Sequence, residues 1–353
     1  SIIEFIFPAS ERLLGEHSFK QTEQGGHHWR PLRLGRKNKY AFMDGIKFRE
    51  NVNLSRLNNY GIGGPARFFS EVSDASEAEK AIRLAKEKGL RIFILGGGTN
   101  LLVADEGFDG LVLKPNIKFL EAHGNTVKAG AGVSVAELLD FSAERGLSGL
   151  EWAGGLPGTV GGAVRGNAGA FGGEFKDSIV EVDSFDIGKM NIVKRSGEEC
   201  GFGYRNSVFK EDNGEIILSA LISMKNGDPE DSRRAIREKI DYRLLRHPME
   251  YPNIGSIFKN VSLDKISPEL RDLLGNVVKT DPFPVVPTAY LISETGLKGV
   301  SCGGAMISPK HPNFIVNTLN ASASDVESLI SLVKFEVNKK FGIDLEEEVM
   351  RVN

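Results

Sequence analysis

Two glycine-rich segments contain the residues best suited to bind a large ligand. Residues 154–173 form the longer segment, and Gly96-Gly97-Gly98-Thr99-Asn100 form the shorter one, directly after the apolar run 92–95. Glycine reaches positive φ and lets the main chain lie against a flat or charged ligand. Successive backbone N–H groups in such a turn bind phosphate. The two segments therefore predict one large cofactor that is held from both sides.

The alternative is that these glycines only form tight turns. The longer segment does not read as a linker, because Leu156, Val160, Val164 and Phe171 recur through it as on a buried face. Both segments also contain Thr and Asn side chains that could contact a ligand. These features favour a ligand site.

Three folded units are expected to position these segments, and we place them at 47–115, 116–228 and 229–353. Apolar patterns predict helices over 73–89, near 135–143 and near 286–294. A long charged helix is expected over 229–246, and a final helix over 324–341, with Asp325 in its first turn and Lys339 and Lys340 in its last. The sequence also predicts strands ending near 69 and over 92–95, 111–113, 126–129, 179–185 and 216–224, with a short one near 349.

Residues 1–46 differ from the rest, since they show no sustained helical or strand period. We interpret them as a disordered N-terminal extension, with Met43 as a plausible internal start. His27 and His28 are adjacent but lack further spaced ligands, so no metal site is predicted.

Composition and charge exclude several classes of protein. The net charge of −3 and the lack of a long basic block argue against a nucleic-acid partner. Cys200 and Cys302 cannot make a disulfide framework, which suits a reducing compartment. No apolar run approaches the ~18 residues of a membrane helix, so we expect a cytoplasmic protein without membrane insertion.

The glycine spacing excludes two common nucleotide sites. Neither Gly96-Gly97-Gly98 nor Gly130-Ala131-Gly132 completes a G-x-G-x-x-G fingerprint between a strand and a helix. No G-x-x-x-x-G-K-[ST] loop is present either. The remaining interpretation is a binding site of neither of these two types, for an extended ligand that contains a pyrophosphate.

The motifs resemble, in order, those of the UDP-N-acetylenolpyruvoylglucosamine reductase family, and the resemblance covers about residues 48–352. The strings that carry it are Asn58–Ala66, Leu95–Leu102, Gly155–Ala163, Gly166–Gly172, Tyr204–Phe209, Gly255–Asn260, His311–Asn317 and Leu345–Val349. The short link from Phe209 to the strand at Ile216 resembles the branch of the family that lacks an extra tyrosine-bearing loop.

The resemblance implies an α+β protein with an FAD-binding fold of the vanillyl-alcohol-oxidase type and a third, α/β substrate-binding domain. It implies that NADPH reduces FAD, and that the flavin then reduces a UDP-sugar enolpyruvate for peptidoglycan synthesis. No histidine lies between Asn51 and Gly110, so we expect FAD to be bound non-covalently. We also expect a monomer.

The resemblance assigns three catalytic residues. Ser256 matches the proton donor, Arg205 the arginine that neutralises the enolate, and Glu348 the catalytic glutamate. Without the motifs, Ser256 would be interpreted as a turn hydroxyl and residues 346–348 as a solvated acidic face. The expected substrate-binding residues are Tyr204, Lys259, Asn260 and Arg246.

The expected FAD contacts fall in the two glycine-rich segments. They are Gly96, Gly97, Gly98, Thr99, Asn100 and Leu101 for the pyrophosphate, and Gly155, Gly158, Thr159, Gly162, Asn167 and Ala168 for the flavin and ribityl chain. Val261, Met350 and Asn353 depart from the usual family pattern.

Two other functions compete with this interpretation. One is a flavin oxidase of the same fold that acts on a sugar or alcohol with oxygen, often through a histidine tether that this sequence lacks near residues 96–100. The other is an inactive flavin-binding module, against which the presence of Ser256, Arg205 and Glu348 argues.

Overall fold

A computed structural model of the protein describes residues 40–43, 46–212, 214–280 and 283–353. The elements of the first unit are β1 (Tyr40–Met43), β2 (Ile46–Asn53), β3 (Pro65–Val72), α1 (Ala75–Glu87), β4 (Arg91–Ile94), β5 (Leu101–Val103) and β6 (Phe108–Pro115). Five of its strands form one sheet in the order β1-β2-β3-β6-β4. Strands β3, β6 and β4 run parallel, so α1 is the crossover between β3 and β4.

Helix α1 agrees with its predicted position. Asp74 caps it by accepting a 2.8 Å hydrogen bond from the Glu77 N–H. The apolar stripe Ala78, Ala81, Ile82 and Ala85 is buried in a core shared with both large sheets. The spacing of this stripe is that of one helix face, which is why the sequence predicted the helix.

The N-terminal extension was expected to run to residue 46. The described residues show ordered strands earlier, because β1 pairs antiparallel with β2 from Tyr40 opposite Arg49 to Met43 opposite Ile46. The folded part therefore begins at or before Tyr40. The rest of the expected extension, with His27 and His28, lies outside the described residues.

The second unit contains the longer glycine-rich segment. Its elements are β7 (Leu120–His123), β8 (Thr126–Gly130), α2 (Val135–Glu144), β9 (Leu147–Ser148), α3 (Val160–Arg165), β10 (Gly169–Ala170), β11 (Gly173–Glu174), β12 (Ile179–Asp186), β13 (Asn191–Ser196), α4 (Val208–Glu211), β14 (Glu215–Ser223), β15 (Lys225–Asn226) and α5 (Pro229–Arg246). The main sheet is antiparallel, in the order β13-β12-β14-β8-β7. A capping box of Ser134 and Glu137 begins α2.

Helix α5 was expected to open the third unit. It packs instead against α2 and the short turn Glu151–Ala153 of the second unit. Ile236 joins the core of that unit, and the Arg243 Nε–H donates to the Gly154 carbonyl at 2.9 Å. The periodicity of a mostly charged helix predicts its length but not the partner that its narrow apolar side contacts.

The third unit is smaller and contains both helices and short strands. Its elements are β16 (Val261–Ser262), α6 (Pro268–Leu274), β17 (Val285–Val286), α7 (Thr288–Glu294), β18 (Ser301–Cys302), β19 (Ala305–Ile307), β20 (Ile315–Asn317), α8 (Ala323–Phe341) and β21 (Met350–Val352). Helix α8 begins at a Ser322–Asp325 capping box and ends at Gly342, whose φ of 66° suits glycine. Its buried side packs on the three-stranded sheet β18-β19-β20.

The C-terminal strand leaves the third unit and returns to the first. Strand β21 pairs in parallel with β5, from Met350 opposite Leu101 to Val352 opposite Val103. Since β5 directly follows the shorter glycine-rich segment, this pairing brings Glu348 next to the predicted cofactor site. No helix in the described ranges is long and apolar enough to cross a membrane.

Candidate active site

The two glycine-rich segments contact each other directly. A Cβ placed on Gly97 would lie 2.6 Å from the Gly158 Cα, and one placed on Gly158 would lie 3.0 Å from the Thr99 Oγ1. Gly96 likewise faces Thr159 and Gly162. The absence of side chains at Gly97 and Gly158 therefore serves close backbone packing, and the two segments form one continuous surface.

This surface fits a pyrophosphate-containing cofactor. The consecutive backbone N–H groups of residues 96–100 donate to no acceptor within the part of the chain that is described. Nearby, a Cβ on Gly162 would meet only Thr159 Oγ1, at 3.6 Å, so the surface is open there. Unpaired amide donors beside an open glycine surface are what a bound anion and a flat ring require.

The longer segment is more regular than the sequence indicated. Thr159 caps α3, and its Oγ1 accepts a hydrogen bond of 3.3 Å from the Gly162 N–H. Asn167 is fully buried at a φ of 40°, and its amide donates to Gly203 O and Glu174 Oε1 while accepting from the Lys176 N–H. The Asn167 side chain is thus used within the protein, and its N–H donates to the Val164 carbonyl at 3.1 Å, which leaves its carbonyl to line a cofactor. The backbone of Ala168 is also engaged, through Ala163 and Phe175.

Arg205 and Glu348 meet across 143 residues of sequence. The Arg205 Nε–H donates to Glu348 Oε1 at 2.8 Å, and its Nη2 donates to the Gly169 carbonyl at 2.9 Å. Burial alone would lower the pKa of Arg205, but the facing carboxylate outweighs it and raises the pKa above its ordinary value. The guanidinium is therefore charged throughout the physiological pH range, as a group that neutralises a carboxylate must be.

The Ser256 motif lies directly beside this ion pair. The Glu348 N–H donates to the Ile257 carbonyl at 2.8 Å, and Asn100 Nδ2 donates to the Glu348 carbonyl at 3.0 Å. Ser256 is half-buried, between Gly255 at a φ of 81° and the buried Ile257. These bonds bring the three expected catalytic residues and the shorter glycine-rich segment together.

Asn313 holds the Ser256 motif in place, a role that the sequence did not reveal. Its buried side chain accepts from the Phe258 N–H at 3.0 Å and donates to the Phe258 carbonyl at 2.9 Å. Its own carbonyl accepts from the Ile257 N–H at 2.8 Å. The only signal in the sequence was the family string 311–317, which identifies the segment but not its partner.

The expected substrate residues Tyr204, Lys259 and Asn260 lie near the same motif. Tyr204 packs edge-on against Phe283 with ring centroids 4.9 Å apart, and burial raises its pKa. Lys259 forms an ion pair with Glu346, and Asn260 Oδ1 accepts from the Thr288 N–H at 3.2 Å. These contacts fix the segments next to strands β16 and β17.

Arg246 is separate from this group. It is exposed at the end of α5 and has no ion pair among the described residues. One turn earlier, Arg243 points toward the longer glycine-rich segment, where its side chain lies over Gly155. Its Nη2 is buried and has no hydrogen-bond partner in the described ranges. Burial, followed by the charge of Arg205, lowers the pKa of Arg243 to about 10.

Two family models match the chain. "FAD binding domain" matches residues 66–193, and "UDP-N-acetylenolpyruvoylglucosamine reductase, C-terminal domain" matches residues 247–352. The first runs from within β3 of the first unit to within β13 of the second, and the second begins directly after α5. Together with the glycine surface, they define a flavoprotein in which an FAD-binding region is followed by a separate C-terminal domain.

Known proteins match most of the chain. UDP-N-acetylenolpyruvoylglucosamine reductase of Solibacter usitatus is 38% identical over 315 residues, which cover 89% of this chain and 99% of the relative. That of Carboxydothermus hydrogenoformans is 40% identical over 303 residues, with 85% and 92% covered. The crystal structure of the Thermus caldophilus reductase has a TM-score of 0.69 at 32% identity, over 86% of this chain and 98% of that one. The chain belongs to the UDP-N-acetylenolpyruvoylglucosamine reductase family.

Proposed function

We propose that the residues around the Arg205–Glu348 ion pair reduce UDP-N-acetylglucosamine enolpyruvate to UDP-N-acetylmuramate, in the FAD- and NADPH-dependent reaction of the family. FAD, held by the surface that the two glycine-rich segments form, would supply the hydride chemistry between NADPH and the enolpyruvyl double bond. The observation that carries the assignment is the junction at Glu348. Its side chain binds Arg205, its N–H binds the Ser256 motif, and its carbonyl binds Asn100.

Hydride addition to the vinyl carbon leaves negative charge on the neighbouring carbon and its carboxylate. Arg205, which is charged and fixed by two hydrogen bonds, neutralises that carboxylate. Ser256 supplies the proton to carbon, since its hydroxyl has no hydrogen-bond partner among the described residues and is free to turn toward the substrate. Glu348 orients Arg205 and polarises the reacting carboxylate.

Arg243 supports a second anionic contact. Among the described residues no carboxylate pairs with the Arg243 guanidinium, which lies over the Phe171 ring at 5.3 Å and has a buried Nη2, so an anionic ligand can supply the counter-charge. Both reactants carry a diphosphate, and Arg243 lies over the glycines expected to line the flavin. It is therefore a better candidate for a substrate contact than the exposed Arg246.

Ser256→Ala tests the proton-donor role by separating the two half-reactions. Flavin reduction by NADPH needs no proton on substrate carbon and should be retained. Flavin reoxidation by the enolpyruvyl substrate should slow by about 10²–10⁴-fold, as for other lost general acids. Rapid-mixing absorbance of the flavin follows each step separately.

Glu348→Gln should also slow reoxidation more than reduction. Ser301→Ala, at an exposed serine, and Glu144→Gln, at an exposed glutamate of α2, are the matched controls and should leave both steps unchanged. If Ser256→Ala slowed reduction and spared reoxidation, Ser256 would belong to the nicotinamide pocket and the assignment would be wrong. Purified protein should be yellow and release intact FAD on heating.

The finer partner assignments are part of the same proposal. We expect a monomer in the cytoplasm, where UDP-activated sugars and NADPH are available. Size-exclusion chromatography with light scattering measures the oligomeric state, and a dimer would contradict the first expectation.

A further inference from the structure

Arg205 has a backbone conformation that a side chain disfavours. Gly203 and Asn206 exchange two backbone hydrogen bonds of 3.0 and 3.1 Å, which leaves Tyr204 and Arg205 as the two central residues of a tight turn. Arg205 has a φ of 55°. Turns of this kind usually place glycine at such a position, because a Cβ is crowded there. Additional interactions must therefore stabilise this conformation.

Lys210 supplies one such interaction. It lies in α4, the single helical turn that directly follows the motif, and its Nζ donates to the Arg205 carbonyl at 2.9 Å. The turn is also held by Asn167, whose amide donates to Gly203 O. Arg205 is thereby restrained at its carbonyl by Lys210, and at its guanidinium by Glu348 and Gly169.

The charge of Lys210 is not used in an ion pair. The lysine is half-buried, and among the described residues it has no carboxylate within ion-pair distance. Burial, followed by the charge of Lys259, lowers its pKa. The bond to the Arg205 carbonyl is the hydrogen bond that its ammonium group makes within the described part of the chain, so this contact accounts for its place.

We propose that Lys210 is a positioning residue, which holds Arg205 in its left-handed conformation and so aims the guanidinium at the substrate carboxylate. This inference rests on the proposed role of Arg205. Without the Lys210 bond, the peptide after Arg205 can rotate toward a relaxed conformation, and the guanidinium then shifts from the substrate. Lys210 itself need not touch substrate or cofactor.

A double-mutant cycle on the FAD-loaded enzyme tests this role. Lys210→Met should slow flavin reoxidation by the enolpyruvyl substrate by about tenfold or more while changing reduction by NADPH less than about twofold. Lys210→Arg, which keeps a donor of similar reach, should restore most of the rate. In an Arg205→Ala background, Lys210→Met should change the remaining reoxidation rate by less than about twofold.

Lys189→Met, at an exposed lysine, is the matched control and should match the wild type. Equal slowing by Lys210→Met with and without Arg205 would overturn the inference, because Lys210 would then act on its own. Equal loss of both half-reactions with a lower melting temperature would also overturn it, in favour of a packing role. If Lys210→Met does not fold, Lys210→Gln, which is shorter, replaces it in the cycle. A wild-type enzyme that the enolpyruvyl substrate cannot reoxidise would instead contradict the proposed function.

Discussion

Arg243 links stability to binding in a single side chain. Its buried Nη2 has no partner in the described part of the chain, and Arg205 adds like-charge repulsion. Arg243→Gln removes a charge that has no carboxylate partner in the described ranges, but it also removes the bond to the Gly154 carbonyl and the contact with the Phe171 ring. Because these effects oppose each other, we expect the melting temperature without substrate to change little. We also expect KM for the UDP-sugar to rise by about tenfold or more, as for a lost charged hydrogen bond.

Arg237→Gln, on the exposed face of the same helix, is the control for Arg243→Gln and should change neither quantity. Differential scanning fluorimetry and steady-state kinetics provide the two measurements. A KM that stays at the wild-type value would remove Arg243 from the substrate site. Loss of FAD from the variant would assign its counter-charge to the cofactor instead.

The individual site residues show what a sequence can predict. Family strings identified Ser256, Arg205 and Glu348, and the structure brings their segments together through hydrogen bonds. The same strings gave no indication of the partners of Asn313 or Lys210, because a hydrogen bond between distant residues leaves no local pattern. Arg246 was predicted from its place ahead of the Ser256 motif, and that place does not reveal that Arg243, one turn earlier, is the arginine that lies over Gly155.

Glycine substitutions separate close packing from cofactor contact. Gly97→Ala would bring its Cβ to 2.6 Å from the Gly158 Cα, so the two segments must move apart. We expect the apoprotein to lose about 1–3 kcal/mol of unfolding free energy, as in other overpacked sites, and to bind FAD weakly. Chemical denaturation and flavin titration measure the two effects.

Gly162→Ala should behave differently. Its Cβ would meet only Thr159 Oγ1 at 3.6 Å, and alanine favours a helix over glycine by about 0.8–1.0 kcal/mol. The apoprotein should be as stable as the wild type or more so, whereas FAD affinity should fall. Gly275→Ala, with open space around it, is the control. Unchanged FAD affinity in Gly162→Ala would show that Gly162 does not face the flavin.

Elements with a clear pattern were predicted well, and most short ones were not. The helices α1, α2, α5, α7 and α8 lie close to their predicted positions. Strands β5 and β18–β20 have two or three residues each, too few to show a period. Helix α3 was missed because it has six residues, of which two are glycines, and its stability comes from the Thr159 cap and the burial of Val160 and Val164.

The N-terminal boundary of the folded protein can be tested by truncation. A chain that begins at Tyr40 should keep its FAD and its melting temperature, since residues 1–39 show no apolar period. A chain that begins at Met43, the internal start suggested by the sequence, lacks most of β1 and leaves the edge of β2 unpaired. We expect this shorter chain to melt at a lower temperature.

Equal melting temperatures of the two chains would show that β1 contributes nothing to the stability of the sheet. Loss of FAD from the longer chain would show that residues 1–39 support the site.

The C-terminal strand connects the three units at the active site. Met350 N donates to Asn100 O at 3.1 Å, Ala104 N donates to Val352 O at 2.8 Å, and Val352 is buried in the core of the first unit. A chain that ends at Val349 keeps Glu348 but loses this pairing, so both the 96–100 loop and the Glu348 backbone become free to move. We therefore expect weaker FAD binding together with slower flavin reoxidation, measured by flavin titration and rapid mixing.

The control is a chain that ends at Val352, which lacks only the exposed Asn353 and should match the wild type. If the chain ending at Val349 kept its FAD affinity and lost only reoxidation, β21 would position Glu348 without supporting the cofactor loop.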